Sequence, residues 1–64
     1  GQKQIYAFYN DSDQVRQVKD LKLWRFSARQ SEIILGEGTA QLSGGRLNAL
    51  IQPGEGLHVL VSAV

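Results

Sequence analysis

The last nineteen residues, Arg46 to Val64 (RLNALIQPGEGLHVLVSAV), limit the fold more than any other stretch. Leu47, Ala49 and Ile51 alternate with Arg46, Asn48 and Leu50. After a turn cluster, Leu57, Val59, Val61 and Ala63 alternate with His58, Leu60, Ser62 and Val64. A period of two marks strands, because successive side chains leave a pleated backbone on opposite faces. Between the runs, Pro53 presets its φ and donates nothing to a ladder, while Gly54 and Gly56 tolerate positive φ. The stretch therefore reads as a C-terminal hairpin with a loop of about five residues. Leu60 and Val64 make the final run apolar on its second face too. A central strand is expected, or one covered there by another layer or subunit.

The rest of the chain repeats this punctuation. Ile5, Ala7 and Tyr9 alternate with Tyr6 and Phe8, and aromatic and β-branched residues at that density favour a strand. Asn10-Asp11-Ser12-Asp13 is turn chemistry. Residues 14–28 read two ways. A helix has a start at Asp11 with Gln14 three residues on, and Val15, Val18 and Leu21 share an arc. Lys22 and Arg25 also fall in that arc, however, while Leu23 and Trp24 fall outside it. A strand from Leu21 to Ala28 is therefore favoured, and residues 14–19 are read as strand with a short helix as the alternative. Glu32 to Leu35 and Thr39 to Leu42 are short runs separated by Gly36-Glu37-Gly38, and Ser43-Gly44-Gly45 is a turn. Gly-Glu-Gly recurs at residues 54–56 and reads as a common turn element, without the lysine and helix of a phosphate cradle. Five to six short strands follow, as an all-β small antiparallel barrel or reduced β-sandwich.

Sixty-four residues make a single domain, residues 1–64. A chain this small buries only ~60% of the surface it exposes when unfolded. With no cysteine, disulfides and thiolate metal sites are both excluded. One histidine and scattered carboxylates supply no zinc set, and no cofactor is implied. Tight packing or oligomerisation is left to supply stability. The net charge of +1 selects no partner. No apolar run approaches the ~20 residues of a membrane helix, and no signal peptide is visible. The chain starts at Gly1 and has no methionine, so it is expected to be processed or excised from something larger.

Charge placement is the most suggestive chemical feature. Arg16, Lys19, Lys22, Arg25 and Arg29 lie in a segment with one acid, Asp20, for a net +4, whereas the remainder carries −3. Trp24 and Phe26 are interleaved with these cations. Basic side chains neutralise phosphates and aromatic rings stack on bases, so residues 16–29 are a candidate nucleic-acid contact. The plainer reading is a solvated strand face with Trp24 and Phe26 in the core, and a third is a basic edge strand that discourages aggregation. His58, on the less apolar face of the last run, lacks any nucleophile motif and is expected at a surface or interface. Asp11 and Asp13, with Asn10 and Ser12, lack the spacing of a calcium loop. Asn10-Asp11-Ser12 fits a glycosylation sequon, relevant only in a eukaryotic secretory setting.

Ala40 to Val64 resembles the closing hairpin of small β-sandwich modules, and Ile5 to Ser12 is similar to their opening strand and turn. Such modules occur as accessory domains of extracellular enzymes and in virion structural proteins. The resemblance implies a non-catalytic structural or interaction module, in a homo-oligomer or a larger assembly. Leu50, Leu60 and Val64 are the candidate interface, since they exceed what one small core face requires. Nucleic-acid binding through residues 16–29 is the alternative function, and an enzyme is not expected because no convergent catalytic set can be named.

Overall fold

The computed structural model describes residues 2–63. These residues are all-β, with six strands in two antiparallel sheets and no helix among them. In sheet A, β6 (Gly56–Ser62) lies between β1 (Lys3–Tyr9) and β3 (Gln30–Gly36). In sheet B, β5 (Arg46–Ile51) lies between β2 (Arg16–Lys22) and β4 (Gly38–Ser43). The sheets are not closed into a barrel.

The two strands with the cleanest apolar alternation hold the centres. Leu47, Ala49 and Ile51 of β5 and Leu57, Val59 and Val61 of β6 are buried, and with Leu23 they form one cluster shared by both sheets. Each large aliphatic side chain there contributes roughly 1.5–3 kcal/mol relative to exposure. The outer strands add half-buried residues to the same cluster: Tyr6 and Phe8 from β1, Val18 and Leu21 from β2, and Ala40 and Leu42 from β4.

The expected C-terminal hairpin is replaced by a crossing between sheets. β5 bonds to β2 and β4, whereas β6 bonds to β1 and β3, so neither has a free edge for the other. Residues 52–55 carry the chain from one sheet to the other. The Glu55 N–H donates to the Gln52 carbonyl at 3.2 Å, and the Asn10 N–H donates to the Glu55 carbonyl at 2.9 Å. The hairpin that does form joins β4 to β5. Ser43 pairs with Arg46, and Gly44 and Gly45 have φ of 57° and 77°, the signs a type I′ turn requires.

The other Gly-Glu-Gly is a crossing as well, from β3 to β4. A Cβ on Gly36 would lie 1.8 Å from the Gly56 carbonyl oxygen, and one on Gly38 would lie 2.1 Å from that of Leu50. Only glycine fits where one backbone passes so close to another. The repeated tripeptide thus marks two points where the chain changes sheet, and Gly36 and Gly56 bring them into contact.

β2 ends at Lys22, so the strand expected from Leu21 to Ala28 is confined to its first residues, and residues 14–19 contain no helix. The strand stops at a turn over Trp24 and Arg25, with Arg25 at φ 48°, and the helix-like spacing within it comes from a bulge. Val18 pairs with Ala49 and Leu21 with Leu47, so three steps on β2 face two on β5. Asp20 takes up the extra residue at φ 54°, and its N–H donates to Asn48 Oδ1 at 3.0 Å. Val18 and Leu21 therefore both face inward at a spacing of three, which imitates a helical arc. β3 has a similar irregularity between Ile33 and Leu35.

Strand ends and charge follow a common axis. The Cα extents are 36 × 20 × 15 Å. Three strands at ~4.8 Å span only ~10 Å, so the long dimension runs along the strands. At one end are the start of β1, the β2–β3 loop, the start of β3 and the β4–β5 turn. At the other are the β1–β2 loop and both crossings.

Candidate interaction surfaces

Two surfaces differ from an ordinary solvated exterior. The first is the outer face of sheet A. Alternation turns Tyr6 and Phe8 inward and leaves Ile5, Ala7 and Tyr9 outward. On β6 the outward set is His58, Leu60 and Ser62. Register then joins them: Ile5 is opposite Leu60 and Ala7 opposite His58, and on the far side Glu32 is opposite Leu60 and Leu35 opposite His58. Ile5 and Leu35 are each 59% exposed and Tyr9 is 71% exposed. The bulge in β3 adds exposed Ile34 nearby. His58 is half-buried among Ala7, Leu35 and Leu60, a surface position with no carboxylate or serine directly opposite it.

The outer face of sheet B is polar by contrast. Thr39, Gln41 and Ser43 from β4, Asn48 from β5 and Gln17 from β2 surround Leu50. Gln17, Thr39, Gln41, Asn48 and Leu50 line a shallow depression of about 210 Å³ there.

The second surface is the end of the molecule bearing the β2–β3 loop. Trp24 stands 69% exposed at its tip instead of in the core. Its backbone is tied to β1 on both sides, because the Trp24 N–H donates to the Tyr6 hydroxyl at 2.8 Å and its carbonyl accepts from Gln4 Nε2 at 2.9 Å. The Tyr6 hydroxyl in turn donates to Gln4 Oε1 at 2.8 Å. Arg25 follows at φ 48° with its guanidinium 5.0 Å from the indole centroid. Phe26 is half-buried against the core, and the Arg29 N–H donates to the Ser62 carbonyl at 2.8 Å. Lys3 is opposite Ser62, and Lys22 is opposite Arg46. Five exposed cations, Lys3, Lys22, Arg25, Arg29 and Arg46, thus share one end.

The residues singled out in the sequence are redistributed accordingly. Leu50 and Leu60 lie on outer faces of opposite sheets and so do not share one surface patch, and Val64 lies outside the described residues. Lys22, Arg25, Arg29 and Trp24 come together, whereas Arg16 sits at the opposite end and Lys19 in mid-strand on sheet B. Lys3 and Arg46, distant in sequence, join the basic group only through strand pairing. Ile5, Tyr9 and Leu35 were readable as strand residues, but their shared face depends on the same pairing. Asn10 is 3% exposed with both amide hydrogens committed, so the sequon is closed in the folded chain. No group of three metal-binding side chains occurs among the described residues, Asp11 and Asp13 included. No described helix is long and apolar enough to cross a membrane.

Comparison with protein-family models, with curated proteins and with solved structures finds no match, so function has to be read from these surfaces.

Proposed function

We propose that this domain is a non-catalytic interaction module, a reduced β-sandwich that associates with a second copy of itself through the outer face of sheet A. One observation carries this: Ile5, Ala7, Tyr9, Leu35 and Leu60 gather around His58 on an outer face, while the equivalent face of sheet B is polar. A contiguous apolar patch of this kind marks a contact surface.

Charge at the rim favours a second copy as the occupant. Lys3 flanks the patch on β1 and Glu32 flanks it on β3, one side-chain row apart. A two-fold axis along β6 lays β1 of one copy over β3 of the other, which makes the face complementary to itself. Lys3 of one copy then lies over Gln30 of the other and one row from its Glu32, so two reciprocal Lys3–Glu32 pairs flank Leu60, and Leu35 of each copy lies over Ala7 of the other. Between backbone positions the face measures only roughly 10 × 20 Å. That is well below the ~1,200 Å² total of a standard interface, so the association is expected to be weak, at high micromolar concentration. Such a face suits a module inside a larger assembly, the virion or extracellular setting that the β-sandwich resemblance implies.

Sedimentation equilibrium tests this reading. Across high micromolar concentrations the mass should approach twice the 7.1 kDa of one chain. Leu60→Glu opposes two carboxylates on the axis and should return the monomer. Glu32→Lys should weaken association, and Lys3→Glu combined with Glu32→Lys should restore it. A monomer throughout that range, or a double exchange that restores nothing, overturns self-association by this geometry.

A further inference from the structure

We propose that the basic end of the molecule binds single-stranded nucleic acid, with a base stacked on Trp24 and the flanking phosphates held by the surrounding cations. This surface is separate from the outer patch of sheet A, apart from Lys3 at their shared rim.

The first support is the presentation of Trp24. A lone tryptophan in a small domain would bury a large apolar area if stability alone decided its place. Here it is exposed, and the loop carrying it is held by hydrogen bonds to both backbone polar groups of that residue. The ring is thus pre-positioned, and less ordering entropy opposes binding. Arg25 holds the strained left-handed backbone that places its guanidinium over the indole. Arg25 covers one face of the indole, so a base stacks on the other face and the guanidinium lies at the edge of the site, available to a flanking phosphate.

The second support is the cleft beside the ring. It has a volume of about 340 Å³ and is lined by Gln2, Lys3, Gln4, Trp24, Arg25 and Phe26. Two aromatic rings, two cations and two amides form this wall, with no carboxylate. That volume is at the small end of ligand-sized sites. Lys22, Arg46 and Arg29 extend the positive surface beyond it. Of the six acids, Asp11, Asp13, Glu37 and Glu55 lie on the loops and crossings of the far end, Asp20 and Glu32 stand about one side-chain row behind the cations, and none lines the cleft, so cations outnumber acids at this end. Aromatic platforms within a positive groove are the arrangement that tracks a single strand. In a duplex the base faces are occupied by one another, so Trp24 would find nothing to stack on.

The sole tryptophan is its own reporter. A mixed-sequence DNA single strand of about a dozen nucleotides, spanning one site of this size, is titrated at low salt. Indole fluorescence should be quenched, and the anisotropy of the labelled strand should rise. The logarithm of affinity should fall with log salt at about −0.7 per phosphate contacted. By anisotropy, Trp24→Ala should weaken binding roughly tenfold or more. Arg25→Gly keeps the positive φ and should flatten the salt slope by about 0.7. Circular dichroism melts confirm that both variants fold. The proposal is overturned if no binding occurs at low salt, or if folded Trp24→Ala binds as tightly as the parent. It is equally overturned if duplex DNA or dextran sulfate binds as well as the single strand.

Discussion

Asn10 has two amide hydrogens and two carbonyl lone pairs, and the fold uses all four. Its Nδ2 donates to the Gln14 carbonyl at 2.7 Å and to the Ile51 carbonyl at 2.9 Å. Its Oδ1 accepts from the Ser12 N–H at 3.0 Å and the Ser12 hydroxyl at 2.7 Å. One side chain thereby closes the β1–β2 loop and ties it to the end of β5. Asn10→Ala removes the side-chain donor of the buried Ile51 carbonyl and should cost about 1–3 kcal/mol, whereas the Gln14 carbonyl keeps the Ser12 hydroxyl at 2.9 Å. A domain of this length has roughly 3–10 kcal/mol in total. A urea melt should therefore show a midpoint lowered by a large fraction, and an unchanged midpoint would refute this role. The turn chemistry of residues 10–13 was legible because Asn, Asp and Ser favour local backbone hydrogen bonds. The bond to Ile51, 41 residues away, was not, since no local pattern encodes it.

Strands were legible wherever period two ran uninterrupted, as in β1, β5 and β6. They were obscured in β2, where the extra residue at Asp20 shifts the phase and brings Val18 and Leu21 onto one side. Partnership was harder still. An alternating run, a Pro-Gly turn and a second alternating run describe a hairpin and an inter-sheet crossing equally well. The choice is made by which edges other strands have already filled. Two glycines separate these cases experimentally. Gly36 sits at φ 101° against the Gly56 carbonyl, so Gly36→Ala should displace a crossing and remove most of the stability. A Cβ at Gly44 meets nothing within 4 Å, and the type I′ turn favours Asn-Gly. Gly44→Asn should therefore leave the urea midpoint nearly unchanged. Equal losses for the two variants would show that the β3–β4 crossing is not a close-packed joint.

At the scale of the whole molecule, antiparallel pairing sorts charge that the sequence only partly sorts. Arg16 and Lys19 belong to the basic stretch of residues 16–29, yet the fold moves them away from the basic end and substitutes Lys3 and Arg46. One consequence works against stability. Lys22 and Arg46 are directly opposite on neighbouring strands, and like charges at that spacing repel. A cross-strand cation pair is unfavourable for folding alone, but two cations side by side suit a phosphate. Lys22→Glu separates these roles because it turns repulsion of Arg46 into attraction. Its thermal midpoint should rise by a few degrees, while single-strand affinity and salt slope both fall. Movement of the two readouts in opposite directions is the signature of a surface shaped by binding. A midpoint that drops together with affinity would instead make Lys22 a structural residue, and the clustering of cations at this end would then need an explanation in the fold itself.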